Sequence, residues 1–398
     1  MTDQAELGSL DGDFYYQDPM EFFARLRESS PAVPVWMPDF GRVWAITRYA
    51  DVRAALADPR LVSKMQRWPG GDESDPVTAV HALLNIDPPE HTRLRRLVKK
   101  AFTPRRAAQL RPRTAEIAAE LLDEMTAHGD VVDLLDRYAR PLPITVISEL
   151  LGIPAADRGW IWVIVTDYGK GGTELQRVPR ELAGYFAGLV ADKRARPGDD
   201  LLSALVDAHD ADESSAQTAL TSTELLSAAY HLVMAGFDTT VNLIASGMLA
   251  LLTHPGQMAR LRQDPSLLPA AVEELLRFTN PVNHTNLRYA AEDLAVGDVV
   301  IPAGERVLIA TSSADRDPAQ FPDPDRLDID RDTSAHLAFG HGIHYCLGAP
   351  LARMEAEVAI GTLLARFPGL SLAVPPGDLR WRPVSLMNGL EALPIRLA

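Results

Sequence analysis

A chain of 398 residues with a formal charge of −15 can bury a large core, and its acidity excludes general binding to nucleic acid, whose phosphates would repel it. A single cysteine excludes an intramolecular disulfide and any multi-cysteine zinc or iron–sulfur centre. Apolar residues at 46% and charged residues at 23%, with no low-complexity tract and no solenoid-period repeat, describe an ordered globular chain.

In chain order, residues 1–16 are acidic and lack both a basic start and an apolar run. They read as neither signal peptide nor membrane anchor, so a cytoplasmic location is expected, with about the first 14 residues flexible. Helical periodicity covers 19–28, 51–57, 105–127, 141–151 and 222–252. Strand signals sit near the two ends, at 33–47, at 298–301 with 306–311, at 370–374 and at 393–397. If early and late strands share a sheet, the chain closes on itself.

Segments 194–200 and 207–215 read as exposed polar loops, and no linker divides the sequence. One mainly α domain with a small β-sheet region is therefore expected over 1–398. The three glycines of 168–173 lack the spacing of a phosphate loop. The apolar run 225–252 is long enough to span a bilayer, yet it carries His231, Asp238, Thr239, Thr240, Asn242 and Ser246. A carboxylate at mid-bilayer is costly, so this run reads as the central helix of a soluble protein, with no membrane partner.

The cysteine stands in Phe339-Gly340-His341-Gly342-Ile343-His344-Tyr345-Cys346-Leu347-Gly348, after a glycine-bearing turn and before a helix carrying Pro350 in its first turn. Turn amides and the positive end of that helix favour a thiolate, the form that binds metal. A lone cysteine is otherwise a small buried hydrophobe.

These ten residues match Phe-Gly-x-Gly-x-His-x-Cys-x-Gly at every fixed position, and here the chain resembles the cytochrome P450 family, in particular its soluble bacterial members that tailor macrolides and other polyketides. The resemblance implies the P450 fold, haem b (iron protoporphyrin IX) with Cys346 as axial iron ligand, and O2 as co-substrate. It further implies that Gly340 and Gly342 let the loop pass under the porphyrin, that Phe339 belongs to the haem-binding loop, and that Gly348 lets the next helix lie against it. His344 would pair with a propionate.

Three further motifs fall in the family's order. Glu274 and Arg277, at i and i+3, would by themselves be a surface ion pair worth a few tenths of a kcal/mol, roughly. By resemblance they form a buried triad with Arg326 that holds the cysteine loop. Ala235-Gly236-Phe237-Asp238-Thr239-Thr240 places a costly glycine in mid-helix; by resemblance Ala235 borders the haem, and Asp238 and Thr239 relay protons to dioxygen. A threonine bonding back to its own helix is the alternative. His91 and Arg95, one helical turn apart, form a cationic face that by resemblance meets the propionates, joined by Arg288.

Residues 93–106 carry seven Lys or Arg and no acid. The family docks its redox partner near this helix, so Arg93, Arg96, Lys99 and Lys100 are the expected ferredoxin contacts, with NAD(P)H used indirectly through a reductase. A monomer is expected. Substrate choice is assigned to 63–85, 160–185, 282–286 and 385–388, with Val282, Asn283, His284 and Met387 as candidate contacts. These segments suit a bulky, mostly apolar molecule, either a polyketide or macrolide undergoing hydroxylation or epoxidation, or a steroid or secosteroid. A peroxide-driven peroxygenase and a non-catalytic haem sensor are the rivals. The acid–threonine pair argues against the first, and the sensor would have no need of it.

Overall fold

The computed structural model describes residues 8–38, 40–63, 83–168, 174–210 and 220–397. Its centre is the helix Ser222–Thr253. At its start Thr221 Oγ1 accepts from the Glu224 amide while the Glu224 carboxylate accepts from the Thr221 amide, which satisfies two otherwise orphan donors. Every residue from 240 to 248 is buried, so this half is covered on all sides, as in the core of a large protein. The helix is long and apolar enough to cross a membrane, but most of that stretch lies inside the protein.

Helices Pro141–Leu150, Glu174–Ala195, Leu268–Thr279 and Ala349–Arg366 pack against this axis. Close approach is specified by small residues. A Cβ at Gly247 would sit 3.3 Å from Leu275 and 3.7 Å from Ile360, and one at Gly361 only 2.8 Å from Leu268.

Early and late strands share sheets, as the sequence suggests. A five-stranded sheet runs in the order Ala32–Met37, Gly41–Ile46, Arg306–Ile309, Arg288–Ala290, Leu61–Val62. Its middle pairing is parallel, with Trp44 opposite Val307 and Ile46 opposite Ile309. Pro394–Arg396 lies between Val131–Asp133 and Ser371–Leu372 in a second sheet.

Several boundaries differ from the sequence reading. The helix expected over 105–127 is two, Pro104–Gln109 and Arg111–Thr126, because Pro112 has no amide to continue a helix and suits the first turn of a new one. The run 33–47 folds back as a hairpin at Gly41, which adopts φ +73°. Residues 207–210 are helical, as the end of Leu201–Asp210, and 211–215 lie outside the described residues. Asp200, read as exposed, is buried; it pairs with Lys193 at 2.6 Å and accepts from the Ser203 amide. Of the first 14 residues, 1–7 lie outside the described residues; beyond them Leu10 is buried and donates its amide to Trp36 O, and Trp36 donates to Gly8 O.

Candidate haem-thiolate site

The cysteine loop is closed on itself by backbone bonds. Cys346 N donates to Phe339 O at 2.9 Å, and Gly340 N to Leu337 O at 2.8 Å. Gly340 and Gly342 both adopt φ +72°, which favours glycine. Gly342 has a second reason: a Cβ there would lie 2.8 Å from Leu56 O, so it is the helix Tyr49–Ala57 that leaves no room. Gly348, by contrast, has ordinary space, with Cys346 Sγ 3.8 Å from a Cβ position.

Cys346 is enclosed by protein, yet its own surface is exposed, as are Gly342 and Ile343; the loop thus presents sulfur to an interior space. Burial pushes the thiol up, against the opposing effect of the Gly348 and Ala349 amides and of Arg95 and Arg353. In the protein without a metal, desolvation of the anion is the larger effect. A metal cation at the sulfur reverses that balance.

Beside the loop four basic groups converge. The His91 and His344 rings lie 4.4 Å apart, Arg288 Nη1 is 3.3 Å from His344 Nε2, and Arg95 donates to Tyr345 O. Burial, followed by the mutual repulsion of these groups, lowers His91 and takes His344 down to about 3; burial also lowers Arg95 and Arg288. His91 Nε2 is buried and has no hydrogen-bond partner among the described residues. A cluster of this kind fits a ligand bearing carboxylates, and together with the sulfur it fits haem.

On the central helix, Ala235 is exposed between buried Val233 and Phe237, which marks an interior space along that face. Thr239 Oγ1 donates to Ala235 O at 2.7 Å, the helix back-bond weighed above as the alternative. Its lone pairs therefore remain to accept. Asp238 does not bond Thr239 but accepts from Arg382 Nη2 at 2.9 Å. Sequence reasoning passed over Arg382, whose distance from Asp238 along the chain gave no signal.

Glu274 and Arg277 form a fully buried pair, Arg277 Nε to Glu274 Oε2 at 2.7 Å. The third arginine is Arg331, with Nε 3.4 Å from Glu274 Oε1. This corrects the expectation for Arg326, whose side chain is 65% exposed and bonds Asp328. Arg326 contributes only its carbonyl, to Arg277 and Arg331. A neighbouring cluster also escaped the sequence reading. Arg353 lies 4.4 Å over the Phe339 ring and bonds Glu273, which also meets His336 at 3.0 Å. Burial raises Glu273, but His336 and Arg353 hold it down to about 2.

Of the candidate substrate contacts, Val282 and Met387 are half-buried and pair with each other. Asn283 and His284 are fully buried, which removes them from a substrate-facing surface. Asn283 donates to the Leu386 and Ser385 carbonyls, and His284 Nδ1 meets Thr285 O. Most of 63–85 lies outside the described residues. Among the expected docking cations, Arg96 and Lys99 are exposed, whereas Arg93 pairs with Glu224 of the central helix; the Lys100 side chain lies outside the described residues.

The family model for cytochrome P450 matches residues 169–383. The chain is 49% identical to the cytochrome P450 monooxygenase PikC of Streptomyces venezuelae, across 98% of this chain and 94% of that protein. It is 44% identical to the vitamin D(3) 25-hydroxylase of Pseudonocardia autotrophica, across 100% of this chain and 98% of that one. Among solved structures, tirandamycin C-bound P450 monooxygenase TamI superposes with a TM-score of 0.88 at 46% identity, covering 98% of this chain and 100% of that chain. The chain belongs to the cytochrome P450 family. As a monooxygenase of that family it uses haem iron and dioxygen.

Two measurements check the geometry. Glu274→Gln leaves Arg277 and Arg331 without their buried counter-charge and is expected to cost about 3–5 kcal/mol in denaturant unfolding, with loss of bound haem on gel filtration. Burial holds His284 at about 4, below its usual 6.5. The unfolded chain therefore binds a proton that the folded one refuses, and stability falls as pH drops from about 6.5 toward 4. In His284→Gln the slope of unfolding free energy against pH in that window is expected to be smaller by about one proton.

Proposed function

We propose that this protein inserts one oxygen atom from O2 into a C–H bond, or across a double bond, of a bulky and mostly apolar small molecule of the polyketide or macrolide type. Electrons come from NAD(P)H through a separate ferredoxin reductase and ferredoxin. The observation that carries the reading is the pairing of an exposed Cys346 on a closed loop with four convergent basic groups, of which His91 and Arg288 are buried and Arg95 and His344 half-buried. In this assignment Cys346 holds the haem iron; His91, Arg95, Arg288 and His344 hold the propionates; and Phe339, Gly340 and Ala235 border the ring. Bound there, haem supplies the activation of dioxygen.

The chain's own residues do the rest. Thr239, whose hydroxyl proton is engaged with Ala235 O, accepts a hydrogen bond at the dioxygen side, and Asp238, about one quarter exposed, exchanges protons with solvent. This pair favours a monooxygenase over a peroxide-driven enzyme or a passive haem carrier. Glu274, Arg277 and Arg331 position the loop. Val282 and Met387 line the substrate side. A secosteroid substrate is the second reading, supported by the similarity to a vitamin D(3) hydroxylase.

The ferredoxin contact is assigned to Arg96 and Lys99, exposed on the helix Glu90–Ala101 beside the cysteine loop, with Lys100 next in the chain. Arg93 is assigned instead to anchoring the central helix through Glu224. The protein acts as a cytoplasmic monomer in this reading.

Replacement of Cys346 by alanine is expected to abolish the reduced, carbon-monoxide-bound spectrum of thiolate-ligated haem; its persistence would overturn the assignment. Reduction by ferredoxin is expected to slow as ionic strength rises. Reversal of both Arg96 and Lys99 to glutamate should lower the low-salt rate by about tenfold, as read by stopped-flow reduction.

A further inference from the structure

Residues 380–391 form a hairpin whose stem is closed by Arg382 N to Gly389 O at 2.8 Å, Glu391 N to Arg380 O at 2.9 Å and the pairing of Trp381 with Leu390. Its tip is bonded to the segment that follows the Leu268–Thr279 helix: Asn388 N donates to Pro281 O, Asn283 N to Leu386 O, and Val282 pairs with Met387. From the stem, Arg382 Nη2 reaches the central helix and donates to Asp238 Oδ2 at 2.9 Å and Asn242 Oδ1 at 3.2 Å. Those two acceptors stand one helical turn apart on one face.

The fit is specified at a third position. A Cβ at Gly389 would lie 2.4 Å from Asn242 Oδ1, 2.6 Å from Arg382 Nη2 and 2.9 Å from Arg382 Nε. No positive φ requires glycine there, so Asn242 Oδ1 and the guanidinium together account for the missing side chain. The Asp238 and Arg382 side chains are 25% and 22% exposed, which takes the pair out of the freely solvated class that contributes little.

We propose that Arg382 is a positioning residue for oxygen activation: it holds the Asp238 carboxylate in one orientation and ties it to the hairpin tip on the substrate side. Movement of residues 385–388 is thereby transmitted to the acid that delivers protons. The inference rests on the reading of Asp238 as that acid.

The test uses the haem-loaded protein with NADPH, a plant-type ferredoxin and ferredoxin reductase, and no added substrate. Dioxygen then leaves either as hydrogen peroxide, with one NADPH oxidised per O2, or as two waters, with two NADPH oxidised per O2. Both routes take up protons, two for the peroxide and four for the two waters, but only the second breaks the O–O bond. Arg382→Gln and Gly389→Ala are each expected to raise peroxide released per NADPH by at least about twofold, and Arg382→Lys to restore it toward the parent value. In an Asp238→Asn background, Arg382→Gln should add nothing. An unchanged peroxide share in Arg382→Gln, or effects of Arg382→Gln and Asp238→Asn that multiply independently, overturns the proposal.

Thermal unfolding of the parent, Arg382→Gln, Asp238→Asn and doubly substituted holoproteins gives a readout separate from turnover. Non-additive midpoints are expected if the two side chains hold each other, and additive ones count against it. Were the parent protein to lack the thiolate spectrum, the functional reading would fail, while the unfolding cycle would still decide whether Arg382 holds Asp238.

Discussion

The buried ion pair between Glu274 and Arg277 is the constraint around which the cysteine side of the molecule is arranged. Neither side chain touches solvent, so every remaining donor and acceptor must find a protein partner. Arg277 gives its other protons to the Asp315 and Pro324 carbonyls, and Glu274 accepts from the Asp328 amide and Arg331. One helix, the end of the short helix Thr311–Ala314 and the irregular segment 322–331 are thereby fixed to one another. That segment leads directly into the cysteine loop, where the buried Asp315 carboxyl accepts from the Leu337 amide at 2.6 Å. A buried pair of this kind contributes little net stability compared with apolar packing, but it dictates position.

Position matters because the site next to it is electrostatically unsatisfied. Four basic groups crowd together while burial disfavours the thiolate. In the proposed assignment one ligand would relieve both conditions, its carboxylates meeting the basic groups and its metal the sulfur. Folding and cofactor binding are therefore linked, with the bound group adding to the stability of the state that binds it.

How much of this the sequence disclosed depended on whether the signal was local. The cysteine loop is ten consecutive residues, and its glycines, histidine and cysteine are legible as one unit. The central helix was equally plain, since its apolar length and its polar interruption lie in a single run. The triad was only half legible. Glu274 and Arg277 share a helix turn, but two arginines flank the loop that returns to them, and nothing in composition tells Arg331 from Arg326. Asn283 and His284 sit in a segment expected from the sequence to face substrate, yet whether a side chain faces inward or outward there depends on a hairpin more than a hundred residues later. The Arg382 contact with Asp238 is non-local for the same reason. Helix boundaries failed where a proline restarted a helix within a continuous apolar pattern.

The parallel pairing of Gly41–Ile46 with Arg306–Ile309 has a bearing on how the chain comes to be made. The first hairpin leaves the ribosome early, but the strand that covers its edge follows more than half a chain length later, across the separation of 263 residues that joins Arg42 to Glu305. At ordinary synthesis rates the edge waits on the order of tens of seconds. An open edge strand invites pairing with other chains. During that interval the edge of the N-terminal hairpin stays uncovered, and slower translation of the intervening residues would lengthen its exposure.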